Sequence, residues 1–340
     1  MLPLAVTMGD INGVGPEILV KALSRPDVRA AGPFIVFGSE KIFTECRTFA
    51  SECPPAVTWL PGNPVPPADE AVPVVDCGCG EIVRAPGKLD GASGQCAAVW
   101  IEEAVKACMA GWCAGMVTCP VNKEGLRLGG CAYYGHTPYI AHLTGCENYW
   151  MSLFSPRMRV IHITAHLSLR QALDAVRKER IVDAVNMAGR ALTRLGIAAP
   201  RIAVAGLNPH AGENGAFGQE ELDEIAPAVL ECRRQGWTCS GPWPPDTVFL
   251  RMYLGEFDAV IAMYHDQGHI AVKLVAMDEG VNVTLGLPIV RTSPDHGTAY
   301  DLAGTGQARE NSLVAAIQLA RQLSAPLVLN EPSISGMEKA

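Results

Sequence analysis

The segment from Met263 to Gly304 concentrates polar residues of the types that bind small anions. Within it, short apolar runs that read as buried strands alternate with His265, Asp266, Lys273, Asn282, Arg291, Asp295 and His296. Lys273 and Arg291 supply two positive charges and Asn282 supplies an amide, a combination that suits a bound phosphate or carboxylate. In open α/β sheets, ligands collect where the carboxyl ends of strands meet loops. The segment therefore predicts an anion-binding site.

Three histidines follow apolar runs that predict strands. His166 ends RVIHITAH, His210 ends RIAVAGLNPH and His265 ends AVIAMYH. If these strands are neighbours in one parallel sheet, the imidazoles converge and form a zinc site with an open position, which also suits cobalt or nickel. The alternative is that each histidine is an unrelated polar residue at the rim. His162 lies about 13 Å from His166 along the same strand, so we expect it to be buried or paired.

Two further positions have both a functional and a structural interpretation. His136 and Thr137 follow Gly135 where a helix should begin. They either contact an anionic substrate at the helix start, or Thr137 is only the N-cap, with Pro138 at the first helical position. Asp246 either orients a metal-bound histidine and relays a proton, or caps the helix TVFLRMYL.

The elements that must position these side chains alternate along the chain. LAVTMG and PFIVFG read as strands, and Ser39 is placed to cap the helix after the second one. Apolar residues at helical spacing predict helices over residues 95–110, 178–195 and 312–323. Alternating strands and helices predict an α/β fold with a mainly parallel sheet covered by helices.

Composition restricts the class of protein. The chain has 340 residues, 49% hydrophobic and 18% charged, enough for about two domains of a globular enzyme. A net charge of −8 without a basic cluster argues against a nucleic-acid partner. No apolar run reaches the roughly 18 residues of a membrane span. The N-terminus lacks a signal-peptide pattern, so we expect a cytoplasmic protein. The twelve cysteines include no CxxC pair and are expected to be reduced thiols.

Long motifs in a fixed order resemble the 4-hydroxythreonine-4-phosphate dehydrogenase family, the PdxA family. They include GDINGVGPEI, TCPVNKEGL, NPHAGENGAFGQEE, MYHDQGH and NVTLGLPIVRTSPDHGTA, and the resemblance runs nearly end to end. It implies a two-domain, mainly parallel α/β/α sandwich similar to isocitrate and isopropylmalate dehydrogenases. We expect residues 1–130 and 285–340 to form the cofactor-side domain, and residues 131–284 to form the substrate, metal and dimerisation domain. The resemblance also implies a homodimer with its active site at the subunit boundary.

The resemblance assigns roles to particular side chains. It implies one divalent metal per subunit, zinc first and cobalt or magnesium as alternatives, on His166, His210 and His265. It implies substrate contacts from His136, Thr137, Lys273, Asn282 and Arg291. The cofactor, NAD with NADP as the alternative, is expected on His296, Gly297, Thr298, Asp301 and Gly304.

The implied activity is NAD-linked, metal-dependent oxidation of 4-phosphohydroxy-L-threonine to a 3-oxo acid. That acid loses carbon dioxide to give 3-amino-2-oxopropyl phosphate in pyridoxal phosphate biosynthesis. Alternatives are the same chemistry on 4-phospho-D-threonate or erythronate, or on a terephthalate-type cis-dihydrodiol, and a metal-bound sensor without turnover. The chain departs from the family pattern at Ile11, Asn12 and Thr305. Its segment around His269 is more similar to the paralogue branch than to the biosynthetic one.

Overall fold

The computed structural model describes residues 1–77 and 82–325. The strands in these ranges are β1 Leu4–Thr7, β2 Phe34–Phe37, β3 Ala56–Thr58, β4 Val72–Val75, β5 Gly115–Thr118, β6 Trp150–Phe154, β7 Arg159–His162, β8 Ile202–Ala205, β9 Cys239–Trp243, β10 Ala259–Ala262, β11 Val281–Leu285 and β12 Arg291–Pro294. The helices are α1 Gly15–Ser24, α2 Pro26–Ala30, α3 Glu40–Cys46, α4 Gly91–Met109, α5 Lys123–Leu128, α6 His136–Leu143, α7 Leu169–Ala175, α8 Lys178–Arg194, α9 Ala226–Arg234, α10 Pro245–Tyr253, α11 His265–Ala276 and α12 Asn311–Ser324.

The strands form one sheet in which strand direction reverses at the centre. Its order is β3-β4-β2-β1-β5-β12-β11-β6-β7-β10-β8-β9. The strands from β3 to β12 in this order are parallel to one another, and so are β7, β10, β8 and β9. The pairs β12–β11, β11–β6 and β6–β7 are antiparallel. Three reversals in a row mean that the two parallel halves run in opposite directions. The predicted α/β fold with a mainly parallel sheet is confirmed, and the division into two domains stays a prediction.

Both faces of the sheet are covered over its interior strands, and two of these strands, β1 and β10, are apolar or buried along their whole length. Every residue of β1 and β10 is buried, as expected for strands between two helical layers. Helix α8 buries one stripe, which includes Ile181, Val185 and Leu192. It confirms the helix predicted over residues 178–195, and α12 confirms the last predicted helix. Ser39 caps α3 by accepting a hydrogen bond from the backbone N–H of Ile42.

Some predictions about local structure were wrong. The segment read as loop and short strand after His265 is helix α11, and its buried residues Gly268, Val272 and Ala276 are spaced by four. Thr137 and Asp246 are not N-caps. Gly135 occupies the N-cap of α6 and Pro244 that of α10, which places Thr137 and Asp246 in the first helical turns.

In the described ranges, none of the helices combines the length and the apolar character that a membrane crossing requires. Cys108, Cys119 and Cys232 are buried free thiols. They pack as small apolar residues, for example Cys108 in α4. Cys79 lies outside the described residues.

Substituting Gly94→Ala should destabilise the fold, because a Cβ there would overlap the carbonyl of Gly125 at the contact between α4 and α5. We expect a loss of unfolding free energy on the order of 1–3 kcal/mol, as for other overpacked sites. Chemical denaturation would measure it. Gln95→Ala, at the exposed neighbouring position, should change stability little. Equal stabilities of the two variants would contradict the close packing of these helices.

Candidate active site

A cavity of about 310 Å³ lies where the two halves of the sheet meet. Residues that follow strands of the first half line one side of it, and residues that follow β7 and β10 line the other. Between them lie side chains of the central strands β11 and β12. The lining includes Lys123, His136, Thr137, Met151, His166, His265, His269, Asn282, Arg291, Ser293, Asp295, His296 and Gly297. The structure therefore brings together most of the residues predicted for the site.

Arg291 lines this cavity as a buried cation, with only 2% of its surface exposed. Its Nη2 donates to Thr118 Oγ1 at 2.7 Å and its Nη1 to Thr284 Oγ1 at 3.1 Å. Longer contacts of 3.4 Å join Nη1 to Thr137 Oγ1 and Asn282 Oδ1. All four partners are neutral, and the buried Nε has no hydrogen-bond partner. Burial lowers the pKa of Arg291 to about 10, so it is still charged at neutral pH.

A buried charge is costly unless an opposite charge compensates it. Within residues 1–77 and 82–325, no carboxylate forms an ion pair with Arg291. A planar guanidinium with free donors suits a phosphate or carboxylate. The arrangement therefore favours an anionic ligand in this cavity.

Lys273, on α11, does not line the cavity and is already paired with Asp295, which does. Its Nζ lies 2.5 Å from Asp295 Oδ2 and donates to the Asp295 carbonyl at 2.9 Å. Asp295 is the single carboxylate among the described lining residues, and Lys273 neutralises it. The cavity as a whole therefore presents positive charge and neutral donors.

His136 is held in one neutral tautomer. Its Nε2 lies 3.1 Å from the carbonyl oxygen of Cys119, and because a carbonyl only accepts, Nε2 carries the proton and Nδ1 is an acceptor. Burial, together with the positive charges of Arg291 and Lys123, lowers the pKa of His136 to about 3. His136 and Thr137 also form the first turn of α6, whose positive dipole end favours an anion.

The three histidines predicted to bind metal are not all brought together. Strand β7 ends four residues before His166, and His265 is the first residue of α11. Their ring centroids are 6.1 Å apart, and both line the cavity. His210 is exposed and does not line it. In the part of the chain that the structure describes, no three His, Cys, Asp or Glu side chains are arranged to hold a metal ion. The metal site formed by His166, His210 and His265 stays a prediction.

His210 begins a stretch of five consecutive residues, 210–214, with left-handed backbone angles. Only one of them is glycine, so the conformation is strained. Buried Glu221 braces the preceding turn by accepting hydrogen bonds from the backbone N–H groups of Leu207 and Asn208, both at 2.7 Å. Strain of this kind often marks functional segments. Sequence reasoning assigned no role to Glu221, although it lies within one of the long motifs.

The residues predicted to bind the cofactor lie in one turn-rich segment, residues 296–304, after β12. His296 and Gly297 reach the cavity, whereas Thr298, Asp301 and Gly304 extend away from it. The Thr298 carbonyl accepts a hydrogen bond from Val14, and Tyr300 donates to Asp10 Oδ2 at 2.6 Å. The glycine-containing turn after β1 therefore packs against this predicted cofactor turn.

Asp246 lies elsewhere. It is exposed in the first turn of α10 and does not line the cavity. Its catalytic role stays a prediction.

His269 is a lining residue that sequence reasoning did not assign. It stacks on His265 with ring centroids 3.7 Å apart and an interplanar angle of 11°. It also contacts His162, which is buried and paired as predicted. The sequence signal for His269 was its i, i+4 spacing from His265, because two residues with this spacing are neighbours on a helix.

The sequence and the fold of this chain are similar to those of several known proteins. The family described as pyridoxal phosphate biosynthetic protein PdxA matches residues 30–320. The chain is 43% identical to D-threonate 4-phosphate dehydrogenase of Salmonella typhimurium, over 94% of this chain and 98% of that one. It is 42% identical to 4-hydroxythreonine-4-phosphate dehydrogenase of Desulfosudis oleivorans, over 93% and 94% of the two chains. The crystal structure of 4-hydroxythreonine-4-phosphate dehydrogenase from Klebsiella pneumoniae matches with a TM-score of 0.82 and 42% identity, covering 96% of this chain and 100% of that one.

Replacing His136→Gln should flatten the loss of stability in acid. The pKa of His136 is about 3 in the folded state against 6.5 ordinarily, so the unfolded state binds the extra proton between these values. The contribution of His136 to the free energy of unfolding is fully present above pH 6.5 and is lost as the pH falls towards 3. We expect a smaller slope of unfolding free energy against pH in His136→Gln, measured by denaturation at several pH values. Exposed His142→Gln is the control, and equal slopes for wild type and His136→Gln would contradict a lowered pKa of the His136 imidazole.

Proposed function

The chain belongs to the PdxA family, and on this premise we propose that it oxidises a secondary hydroxyl of a small phosphorylated hydroxy acid, with a nicotinamide cofactor as hydride acceptor. Its relatives are dehydrogenases, and it is an enzyme of the same type. The observation that carries the proposal is buried Arg291, a cation with neutral partners. In the proposed complex, Arg291, Asn282 and Thr137 hold the substrate phosphate.

We propose 4-phospho-D-threonate as the preferred substrate. It carries a hydroxyl at C2 where 4-phosphohydroxy-L-threonine carries an ammonium group. An ammonium binds best beside a free carboxylate, and Asp295, the carboxylate of the described lining, is already paired with Lys273. The relative named D-threonate 4-phosphate dehydrogenase supports this choice. 4-Phosphohydroxy-L-threonine is the second candidate, supported by the relative named for it.

The proposed reaction removes a hydride from C3 and a proton from its hydroxyl, giving a 3-oxo acid. A carboxyl group β to a ketone leaves readily as carbon dioxide. 4-Phospho-D-threonate then yields dihydroxyacetone phosphate, and 4-phosphohydroxy-L-threonine yields 3-amino-2-oxopropyl phosphate. Neutral His136 offers Nδ1 as an acceptor for a substrate hydroxyl. Lys273 is already paired with Asp295, so the phosphate anchor alone orients C3 for hydride transfer.

Two of the predicted metal ligands have suitable chemistry. Nδ1 of His265 lies 2.7 Å from Asp266 Oδ1, so it carries the proton and leaves Nε2 free to bind a divalent metal. His166 lies beside it in the same cavity. A bound metal would polarise the substrate hydroxyl and stabilise developing negative charge on oxygen. We propose that the metal is zinc. We also propose that NAD binds to the turn that contains His296, Gly297, Thr298, Asp301 and Gly304.

We propose that His210 of a second copy of the chain completes the metal site in a homodimer. Exposed apolar side chains lie on the elements next to His166 and His265: Ile270, Leu274, Val275 and Met277 on and after α11, and Leu167, Leu169 and Leu173 on and before α7. Leu274 is 80% exposed. Clusters of this kind on a surface usually mark interfaces. His210 is exposed on its strained turn, as a residue offered to a partner would be.

Arg291→Ala should strongly reduce kcat/KM for 4-phospho-D-threonate. A charge-assisted hydrogen bond is worth on the order of 1.5–3 kcal/mol, or roughly tenfold to more than a hundredfold. Arg291→Lys keeps the charge without the planar fork and should lose less. Steady-state NADH formation measures each variant, and exposed Arg127→Ala is the control.

The same assay compares substrates. Unphosphorylated D-threonate should be a poor substrate, and Arg291→Ala should barely change its kcat/KM. An equal loss for both substrates would show that Arg291 does not bind the phosphate. A higher kcat/KM for 4-phosphohydroxy-L-threonine than for 4-phospho-D-threonate would favour the second candidate.

A heterodimer of His210→Ala and His265→Ala chains should recover activity that neither homodimer has. If His210 crosses between subunits, one of the two sites in the heterodimer keeps all three histidines, so about half of wild-type activity should return. Co-expression with two different affinity tags isolates the heterodimer. An inactive heterodimer would count against a shared site.

A further inference from the structure

We propose that His269, anchored by His162, is a positioning residue that fixes the ring plane of His265 for metal binding. The inference rests on the metal site of the proposed function and adds two histidines to it. Its basis is a continuous series of contacts that begins at the backbone of β6 and ends at the His265 ring. Each contact restricts the next ring, so the series holds His265 before any metal is bound.

The series starts at a backbone carbonyl. Nδ1 of His162 lies 3.1 Å from the carbonyl oxygen of Met151, and Nε2 of His162 lies 3.1 Å from Nδ1 of His269. The His269 ring then lies flat on the His265 ring, with centroids 3.7 Å apart and 11° between the planes. The His265 ring ends the series through its own hydrogen bond to Asp266.

These contacts determine which nitrogen of each ring carries a proton. The Met151 carbonyl only accepts, so Nδ1 of His162 is the donor and Nε2 of neutral His162 is an acceptor. Nδ1 of His269 must then donate to that acceptor. His269 is therefore fixed in rotation by a directional hydrogen bond, and its flat face is available to His265. His162 is almost completely buried, so water does not compete for the hydrogen bond.

Gly268 permits this arrangement. A Cβ at this position would lie 2.5 Å from His162 Nε2 and 2.5 Å from Val160 Cγ1. Any other residue would push α11 away from β7 and separate His269 from His162. Gly268 therefore allows the short distance between His269 and His162 on which the series of contacts depends.

Orientation of this kind matters because a metal ligand must present its lone pair within about 10–20° of the productive direction. Asp266 fixes the tautomer of His265 but leaves its ring free to tilt about that hydrogen bond. The stacked His269 ring removes this freedom. Loss of such supporting contacts typically weakens metal binding or activity about 10–100-fold.

Three substitutions separate the two contacts of His269. His269→Phe keeps an aromatic face but loses the donor towards His162, His269→Asn keeps a donor near the Nδ1 position but loses the ring, and His269→Ala loses both. Titration calorimetry measures Co²⁺ binding to the metal-free protein, and the visible absorption of bound Co²⁺ reports on ligand geometry. We expect Co²⁺ affinity to fall about 10–100-fold in His269→Ala, with a changed spectrum. His269→Phe should recover part of the affinity and His269→Asn should not.

The controls distinguish this inference from the metal assignment itself. Wild type should bind Co²⁺, His265→Ala should not, and exposed His142→Ala should match the wild type. If wild type fails to bind Co²⁺, or His265→Ala binds it normally, the metal assignment is overturned together with this inference. If both behave as expected but His269→Ala keeps wild-type affinity and spectrum, the inference alone is overturned. Should His269→Ala not fold, equal Co²⁺ affinities of His269→Phe and His269→Asn would overturn it.

Discussion

The buried guanidinium of Arg291 is the constraint on which the site depends. Removing an ion from water costs several kcal/mol even after the protein relaxes, and the chain offsets this cost with hydroxyl and amide oxygens, not with a carboxylate. The charge is therefore left for a ligand to neutralise. The same charge helps to keep His136 unprotonated. One residue thus determines both what the cavity attracts and the protonation state of its neighbour.

The reversal of strand direction explains how such a cation lies within a sheet. In a uniformly parallel sheet, the loops that carry functional residues gather along one edge. Here the two halves run in opposite directions, so loops after β5 and β12 approach the central strands from one side and segments after β7 and β10 from the other. Arg291 and Asn282 lie on the strands between them. The cavity is consequently lined by two sets of segments, one from each half of the sheet.

The sequence predicted the type of fold and several of the lining residues, because apolar periodicity and the chemistry of Asn, Arg and His are local signals. It failed where geometry depends on distant residues. The run after His265 contains Ile270, Val272 and Val275, whose branched side chains favour strands, yet packing against β7 makes it a helix. The reversed strands were not foreseeable, since strand direction is set by pairings between distant segments. The left-handed turn at His210 also escaped prediction, because non-glycine residues rarely adopt those angles.

The pairing of β12 with β5 has a consequence for how the protein reaches its native state. The hydrogen bond between Arg291 and Thr118 joins residues 173 positions apart. Closing so long a loop costs conformational entropy before the contact can stabilise the chain. Sheets built from such distant pairings therefore fold slowly. During synthesis, β1, β2, β4 and β5 emerge long before β12 can join them. The edge of β5 that pairs with β12 therefore stays unpaired while the intervening half of the sheet is synthesised. The cavity forms among the last features of the fold.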